Sequence, residues 1–191
     1  MDILIVLIYA YILGSIPFGL IITKIFLNKD IRNVGSGNIG TTNVLRTGKK
    51  SLAVATLILD GFKGYSSVII SQIYFNDLIF LSALICFIGH IFPIWLNFKG
   101  GKGVAVYLGI LIALSFPLAI VFVVSWLLLA LVFKYSSLSS IIGALGVFFY
   151  SILTNNYSLI FFLFIIFIII LFTHRLNIRR LKNSEETKIK L

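Results

Sequence analysis

Polar residues are so sparse along this chain that the apolar runs between them set its organisation. Residues 4–13 read LIVLIYAYIL and residues 159–172 read LIFFLFIIFIIILF, with no charge in either run. Seven such segments can be drawn, at 3–27, 51–72, 78–96, 103–114, 118–133, 138–153 and 158–173. A helix needs about 20 residues to cross a hydrocarbon core of ~30 Å. The first three segments meet that length. The later ones are short spans, or two of them are half-embedded, which leaves five full crossings. The pattern predicts an all-α, polytopic membrane helical bundle. No linker, repeat or low-complexity stretch divides it, so a single domain over 1–191 is expected. Met1-Asp2 lacks the basic start of a signal peptide, so the first run is expected to remain as a span.

Composition agrees with the pattern. Hydrophobic residues make up 60% of the chain and charged residues 12%, about half the charged share of a soluble domain. The formal net charge of +10 would point to nucleic acid in a soluble protein. Here its placement excludes that reading. Lys29, Arg32, Arg46, Lys49, Lys50, Lys99, Lys102, Lys134, Arg175, Arg179, Arg180, Lys182, Lys188 and Lys190 all lie in alternate connections or the tail. The intervening turns at 75–77, 115–117 and 154–157 carry neither Lys nor Arg. By the positive-inside rule the basic side is cytoplasmic, with the N-terminus outside and the C-terminus inside. Lys24 can snorkel to that side. Lys63 cannot, and its i, i+3 neighbour Asp60 is the expected ion-pair partner inside a span, either as a structural pair or lining the floor of a site.

Three cytoplasmic segments carry candidate chemistry. In the first, Gly35-Ser-Gly-Asn-Ile-Gly40 spells the glycine pattern of a dinucleotide loop, with Asp60 twenty residues further on. That reading fails, because the pattern follows a membrane span where a strand is required and Asp60 sits inside an apolar run. The same residues can form a nest of backbone N–H groups for an anion. Ser36, Thr41 and Thr42 add donors, and Arg46, Lys49 and Lys50 follow; a solvated basic loop is the alternative. In the second segment Gly100, Gly101 and Gly103 surround Lys102, where backbone can approach an anion at the start of a helix. In the third, a continuing helix would place His174, Asn177 and Leu181 on one face, fit to bind a hydroxyl or take a proton; the alternative is an interfacial histidine ending a span. His90, near Pro93 and Trp95, is expected to be structural, as is the lone Cys86. Pro17 within Gly14-Ser-Ile-Pro-Phe-Gly19 predicts a kink. These groups suggest a small phosphorylated molecule handled at the bilayer surface. They do not separate an enzyme from a transporter of such a solute or from a membrane scaffold.

The residues also resemble a known family. Ser36-Gly-Asn-Ile-Gly-Thr-Thr-Asn-Val-Leu-Arg46, Gly89-His-x-Phe-Pro with Phe98-Lys-Gly-Gly-Lys-Gly-Val-Ala105, and His174-Arg-x-Asn-Ile-x-Arg-Leu181 with Glu186 are similar to the three cytoplasmic motifs of bacterial acyl-phosphate:glycerol-3-phosphate acyltransferases. The resemblance implies transfer of a fatty acyl group from acyl phosphate to the 1-hydroxyl of sn-glycerol 3-phosphate, giving lysophosphatidate and phosphate in the bacterial cytoplasmic membrane. It implies no metal and no cofactor, and partners limited to the two substrates and the lipid bilayer. Ser36, Arg46, His174 and Asn177 would be catalytic. Gly35, Gly37, Asn38, Thr42, Lys99, Gly100, Gly101, Lys102 and Gly103 would bind substrate, with Asp60, Lys63 and Glu186 structural. Either His174 or a phosphate oxygen of the donor would take the hydroxyl proton. Thr41, Val106 and Ser184 stand where the family usually has Ala, Thr and Gly; none of these changes removes a charged group.

Overall fold

The structure is a computed structural model that describes residues 1–189; Lys190, counted above among the basic residues, lies outside them. Every regular element among the described residues is helical. In chain order they are α1 (Asp2–Ser15), α2 (Phe18–Leu27), α3 (Thr41–Leu45), α4 (Lys50–Tyr74), α5 (Ile79–Ile91), α6 (Val104–Leu114), α7 (Phe116–Phe133), α8 (Ser136–Ile152), α9 (Tyr157–Thr173) and α10 (Arg175–Lys182). Short 3-10 turns at Ile31–Asn33, Asn76–Leu78 and Ile94–Leu96 complete the set. The chain divides into two compact units, Met1–Leu114 and Ser115 onward.

All seven apolar segments are helical, and their lengths differ in what they can cross. Four stretches are long and apolar enough to span: Asp2–Leu27, Lys50–Tyr74, Asn76–Leu96 and Phe116–Phe133. A fifth arises if α9 and α10, bent by 60° at their junction, count as one. The α6 helix, at 11 residues, reaches only about 17 Å at the α-helical rise of 1.5 Å per residue. Large apolar side chains such as Leu4, Phe62, Leu131 and Phe161 face outward, while Asp60 and Lys63 are buried. That inversion is the expected polarity in lipid.

In the first unit, the expected kink falls between α1 and α2. Ile16 is extended and Pro17 has φ −90°. A proline lacks the N–H that would continue the helix, and it disfavours α geometry in the residue before it. α1 packs on α5 and α4 on α6, in both cases through glycine. A Cβ on Gly14 would overlap the Cys86 carbonyl, and one on Gly64 the Val106 carbonyl. Small residues that let backbones meet are the usual means of packing helices where lipid removes the hydrophobic drive. The buried side of α4 carries a polar file of Thr56, Asp60, Lys63, Ser67 and Ser71. Tyr9 Oη caps its far end, 2.7 Å from Ser71 Oγ and 2.9 Å from Ser82 Oγ.

In the second unit, α7, α8 and α9 pack in sequence around Leu118, Phe122, Val147, Leu163, Ile166 and Ile170. The Trp126 indole N–H donates to Ser140 Oγ at 3.0 Å, which satisfies two polar groups inside the helix layer. The last helix does not run on past Thr173. His174 has φ −97° and ψ 6°, and α10 starts afresh at Arg175.

The α4–α6 crossing supplies an internal control. A Cβ on Gly109 would overlap the Gly61 carbonyl, whereas one on Gly61 meets Ala105 O at an ordinary 3.6 Å. Gly109→Ala should therefore destabilise the protein by about 1–3 kcal/mol, the usual cost of overpacking. Gly61→Ala should be tolerated. Thermal midpoints of the two variants in detergent check this, and equal shifts would contradict the crossing geometry.

Candidate active site

The first loop is built around a side chain that the sequence did not single out. Asn43, 2% exposed, donates through Nδ2 to the carbonyls of Ile31 (3.0 Å), Val34 (2.8 Å) and Asn38 (2.8 Å). Its Oδ1 accepts the Ser36 N–H at 3.0 Å. The Gly37 N–H donates to Val34 O at 3.0 Å and the Gly40 N–H to Asn38 Oδ1 at 2.8 Å. Three of the N–H groups expected to form an anion nest thus turn inward and hold the loop together. Gly35 has φ +56°, and a Cβ there would press on Asn43 Oδ1 and on Arg46 Cδ at 2.9 Å. Glycine lets the Arg46 side chain lie across the loop. Ser36 and Arg46 are exposed, whereas Asn38 and Thr42 are half-buried. Arg32 is occupied elsewhere: its Nη2 sits 2.6 Å from Asp30 Oδ2. The hydrogen bonds from Arg32 hold the Asp30 carboxyl down at about 2. Arg46, Lys49 and Lys50 remain the exposed cations after the loop.

The second loop runs from the end of α5 to the start of α6. Its N–H groups are also committed, Gly100 to Ile91 O at 2.9 Å and Gly101 to His90 O at 3.0 Å. These two glycines were expected to bring backbone close to an anion; here they bring it close to α5. A Cβ on Gly100 would overlap the His90 carbonyl, and one on Gly101 the His90 imidazole. Gly103 has φ +83° and lies against the Phe87 ring. Two further left-handed residues, Asn97 at φ +51° and Phe98 at φ +60°, turn the chain before them. Lys99 is exposed and Lys102 half-buried. Among the loop's apolar residues Trp95 and Phe98 are exposed, and the Trp95 indole N–H donates to Ser15 Oγ at 2.8 Å.

Beneath this loop lies a buried charge cluster. Lys63 Nζ donates to Ile16 O at 2.7 Å and lies 2.9 Å from His90 Nδ1. It also lies 2.9 Å from Asp60 Oδ1, which has no aligned hydrogen-bond donor, so that contact is an ion pair alone. The Phe18 ring centroid is 5.7 Å from the same ammonium. The i, i+3 spacing pointed to the Asp60–Lys63 pair. The part played by His90 and the Ile16 carbonyl depends on how three helices meet and leaves no local signature.

The third segment belongs to the second unit. His174 is 2% exposed, and its Nδ1 lies 2.9 Å from Ile170 O. A carbonyl only accepts, so Nδ1 carries a proton. Asn177 Nδ2 donates to Glu186 Oε1 at 2.6 Å, and Ser137 Oγ donates to the same oxygen at 2.8 Å. Arg180 Nε reaches Glu186 Oε2 at 2.7 Å. Partial burial alone would raise the Glu186 carboxyl. The hydrogen bonds from Arg180, Asn177 and Ser137, with the Arg180 charge, outweigh it and hold the group below its ordinary value. Ser184, with φ +61°, turns the chain back so that Glu186 can reach these partners. That is a conformation glycine adopts more readily. Among the described residues no three His, Cys, Asp or Glu side chains gather as a metal site.

The Glu186 cluster gives a signed pH dependence. A carboxyl depressed on folding contributes stability that is fully present above its ordinary value of 4.5 and lost as pH falls through the folded value below it. Glu186→Gln should lower the thermal midpoint at pH 7. Its difference from the unaltered protein should shrink below pH 4.5. A difference that is constant from pH 7 downward would show that the charge is not what Glu186 contributes.

Residues 4–184 match the family model for glycerol-3-phosphate acyltransferase. Curated relatives of that name include one from Pelagibacter ubique, 56% identical over 191 residues and covering 100% of both chains. Another, from Brucella canis, is 49% identical over 96% of this chain and 91% of its own. Among solved structures, the fold is similar to PlsY, an integral membrane glycerol 3-phosphate acyltransferase. Its glycerol 3-phosphate form has a TM-score of 0.93 and 36% identity, covering 100% of this chain and 96% of that one. Its lysophosphatidic acid form has a TM-score of 0.90 and 34% identity over the same shares. By match length and identity alike, this chain belongs to the glycerol-3-phosphate acyltransferase family.

Proposed function

We propose that the protein transfers a fatty acyl group from acyl phosphate to the 1-hydroxyl of sn-glycerol 3-phosphate, releasing lysophosphatidate and inorganic phosphate. The observation that carries this reading is the pair of PlsY forms. Glycerol 3-phosphate and lysophosphatidic acid are an acceptor and its mono-acylated product, and both forms share this fold along its whole length.

The chemistry suits the side chains. An acyl phosphate is a mixed anhydride, already activated, so no covalent protein nucleophile is needed. The acceptor oxygen bonds to the acyl carbon, the carbon–oxygen bond to phosphate breaks, and the hydroxyl proton leaves with a base. The protein's tasks are to position two anions and to stabilise the charge that develops. Arg46 can grip a phosphate with two parallel N–H groups, with Ser36 beside it as a hydroxyl donor. Gly35, Gly37, Asn38 and Thr42 shape that loop. Lys102, with Lys99 and the turn Gly100, Gly101 and Gly103, holds the glycerol phosphate as a point charge. His174 handles the hydroxyl proton and Asn177 orients the acceptor, with Glu186 bracing Asn177. Asp60 and Lys63 support the fold. The proton goes to His174 or to an oxygen of the departing phosphate.

Seven crossings, with α6 and α8 as short ones, an outside N-terminus and a cytoplasmic C-terminus complete the reading. All three motif segments then face the cytoplasm, in one domain comprising both units. The one-sided distribution of Lys and Arg supports it. In a Cys86→Ser background, a cysteine at Ser184 should react with a membrane-impermeant thiol reagent only after the cytoplasmic face is opened. Labelling from outside intact cells would refute that orientation.

Protein purified in detergent should convert acyl phosphate and glycerol 3-phosphate to lysophosphatidate and phosphate, and should give no product with acyl-CoA. Arg46→Ala and Lys102→Ala should each cut kcat/KM by about 100-fold or more, the scale for losing one aligned charge-stabilising group. An unaltered protein that moves glycerol 3-phosphate into sealed vesicles but makes no product would replace this reading with transport.

A further inference from the structure

The Asp60–Lys63–His90 cluster is too costly and too specifically aimed to be only a fastening. Asp60, Lys63 and His90 are 1%, 2% and 4% exposed. We propose that Lys63 and His90 are positioning residues for acyl transfer: the buried ammonium fixes the imidazole, and the imidazole sets the path of the loop that carries Lys102. This rests on the reading above, in which Lys102 holds glycerol 3-phosphate.

An ammonium only donates, so His90 Nδ1, 2.9 Å from Lys63 Nζ, accepts. The neutral ring therefore carries its proton on Nε2. Rotating the ring by 180° would put a carbon against the ammonium, so the orientation is single-valued. The Nε2 edge is the part that faces Gly101: a Cβ added there would overlap Nε2 and come within 2.7 Å of Cε1 and 3.0 Å of Cδ2. The carbonyl of the same residue accepts the Gly101 N–H at 3.0 Å. Gly101 is thus gripped by His90 through backbone and ring together.

Lys102 is the next residue. Gly103 follows, fixed by its φ of +83°, by the Phe87 ring beside it and by its carbonyl, which accepts the Tyr107 N–H at 2.7 Å. One residue lies between two anchored glycines, so a displaced imidazole moves the Lys102 backbone directly. The other groups facing the cluster hold the ammonium in place: Ile16 O from the α1–α2 break at 2.7 Å and Asp60 from α4 at 2.9 Å. Three helices that meet at Lys63 therefore act on the loop through a single ring.

The test compares His90→Asn, which keeps an acceptor for Lys63 but withdraws the ring edge, with Gly101→Ala, which pushes the ring away. A double variant combines them. Each single variant, purified in detergent, should raise KM for glycerol 3-phosphate about tenfold, as expected for a small misplacement of a binding group. The KM for acyl phosphate should not change, and kcat should change less than about threefold. In the double variant the shorter side chain makes room for the methyl, so its KM should be no higher than that of the worse single variant. Lys63→Met paired with Asp60→Asn, which removes both charges together, should reproduce the same selective KM rise. Unchanged KM in folded variants, multiplicative effects in the double variant, or an equal rise in both KM values would overturn the proposal. So would failure of both single variants to fold, the mark of a purely structural cluster. An unaltered protein that makes no lysophosphatidate in the same assay would instead overturn the functional reading.

Discussion

The amino-terminal unit depends on one ammonium group buried where a membrane protein tolerates charge least. Lys63 Nζ meets a carboxylate from its own helix, an imidazole from α5 and the carbonyl of Ile16 at the α1–α2 break. A lone charge inside the bilayer is expensive, and breaking a buried pair leaves the survivor uncompensated. The contacts therefore stand or fall together. Pro17 breaks the helix, and the break presents the Ile16 carbonyl to Lys63. That carbonyl helps hold Lys63 inside, and Lys63 in turn orients His90. A hydrophobic triad in this place would pack as well. It would not fix the direction of a ring, and that direction is what the Lys102 loop rests on.

What the sequence made legible follows from which forces act locally. The apolar runs located every long helix, because burial of a 15–25-residue stretch is decided by that stretch. Pro17 announced its own break, and the i, i+3 spacing paired Asp60 with Lys63. Asn43 escaped notice because a buried loop amide is defined by the carbonyls that close around it, those of Ile31, Val34 and Asn38. The turn at His174 escaped for a related reason. Nothing in Thr173-His-Arg opposes a helix, and the 60° bend arises where α10 turns its basic residues outward and Asn177 inward. The glycines show the limit most clearly. Their number in both loops implied close approach of backbone to something. In the second loop that something is the end of α5, His90 above all.

All three motif segments share one construction. Each is closed by a buried or half-buried polar side chain that satisfies groups around it: Asn43 in the first, His90 backed by Lys63 in the second, Glu186 in the third. Each leaves a cation or proton-handling group beside the closure, namely Arg46, Lys102 or His174. The first loop also rests on an apolar cluster of Leu20, Ile31, Ile39, Val44, Ala53 and Leu96, whereas Trp95 and Phe98 face outward. The polar closures add contacts that lipid does not compete for, because amide, imidazole and carboxylate gain nothing from moving into hydrocarbon.

The same construction commits several backbone N–H groups of the first two loops, those of Ser36, Gly37, Gly40, Gly100 and Gly101, to partners inside the protein. A nest of free amides would have to reorganise whenever the substrate left, since orphan donors near lipid are costly. In these loops the Ser36 N–H is satisfied by Asn43 and the Gly101 N–H by His90. In the reading proposed above, recognition falls to side chains. Loops held by their own contacts in this way suit the proposed reaction, whose donor, acceptor and both products are all anions.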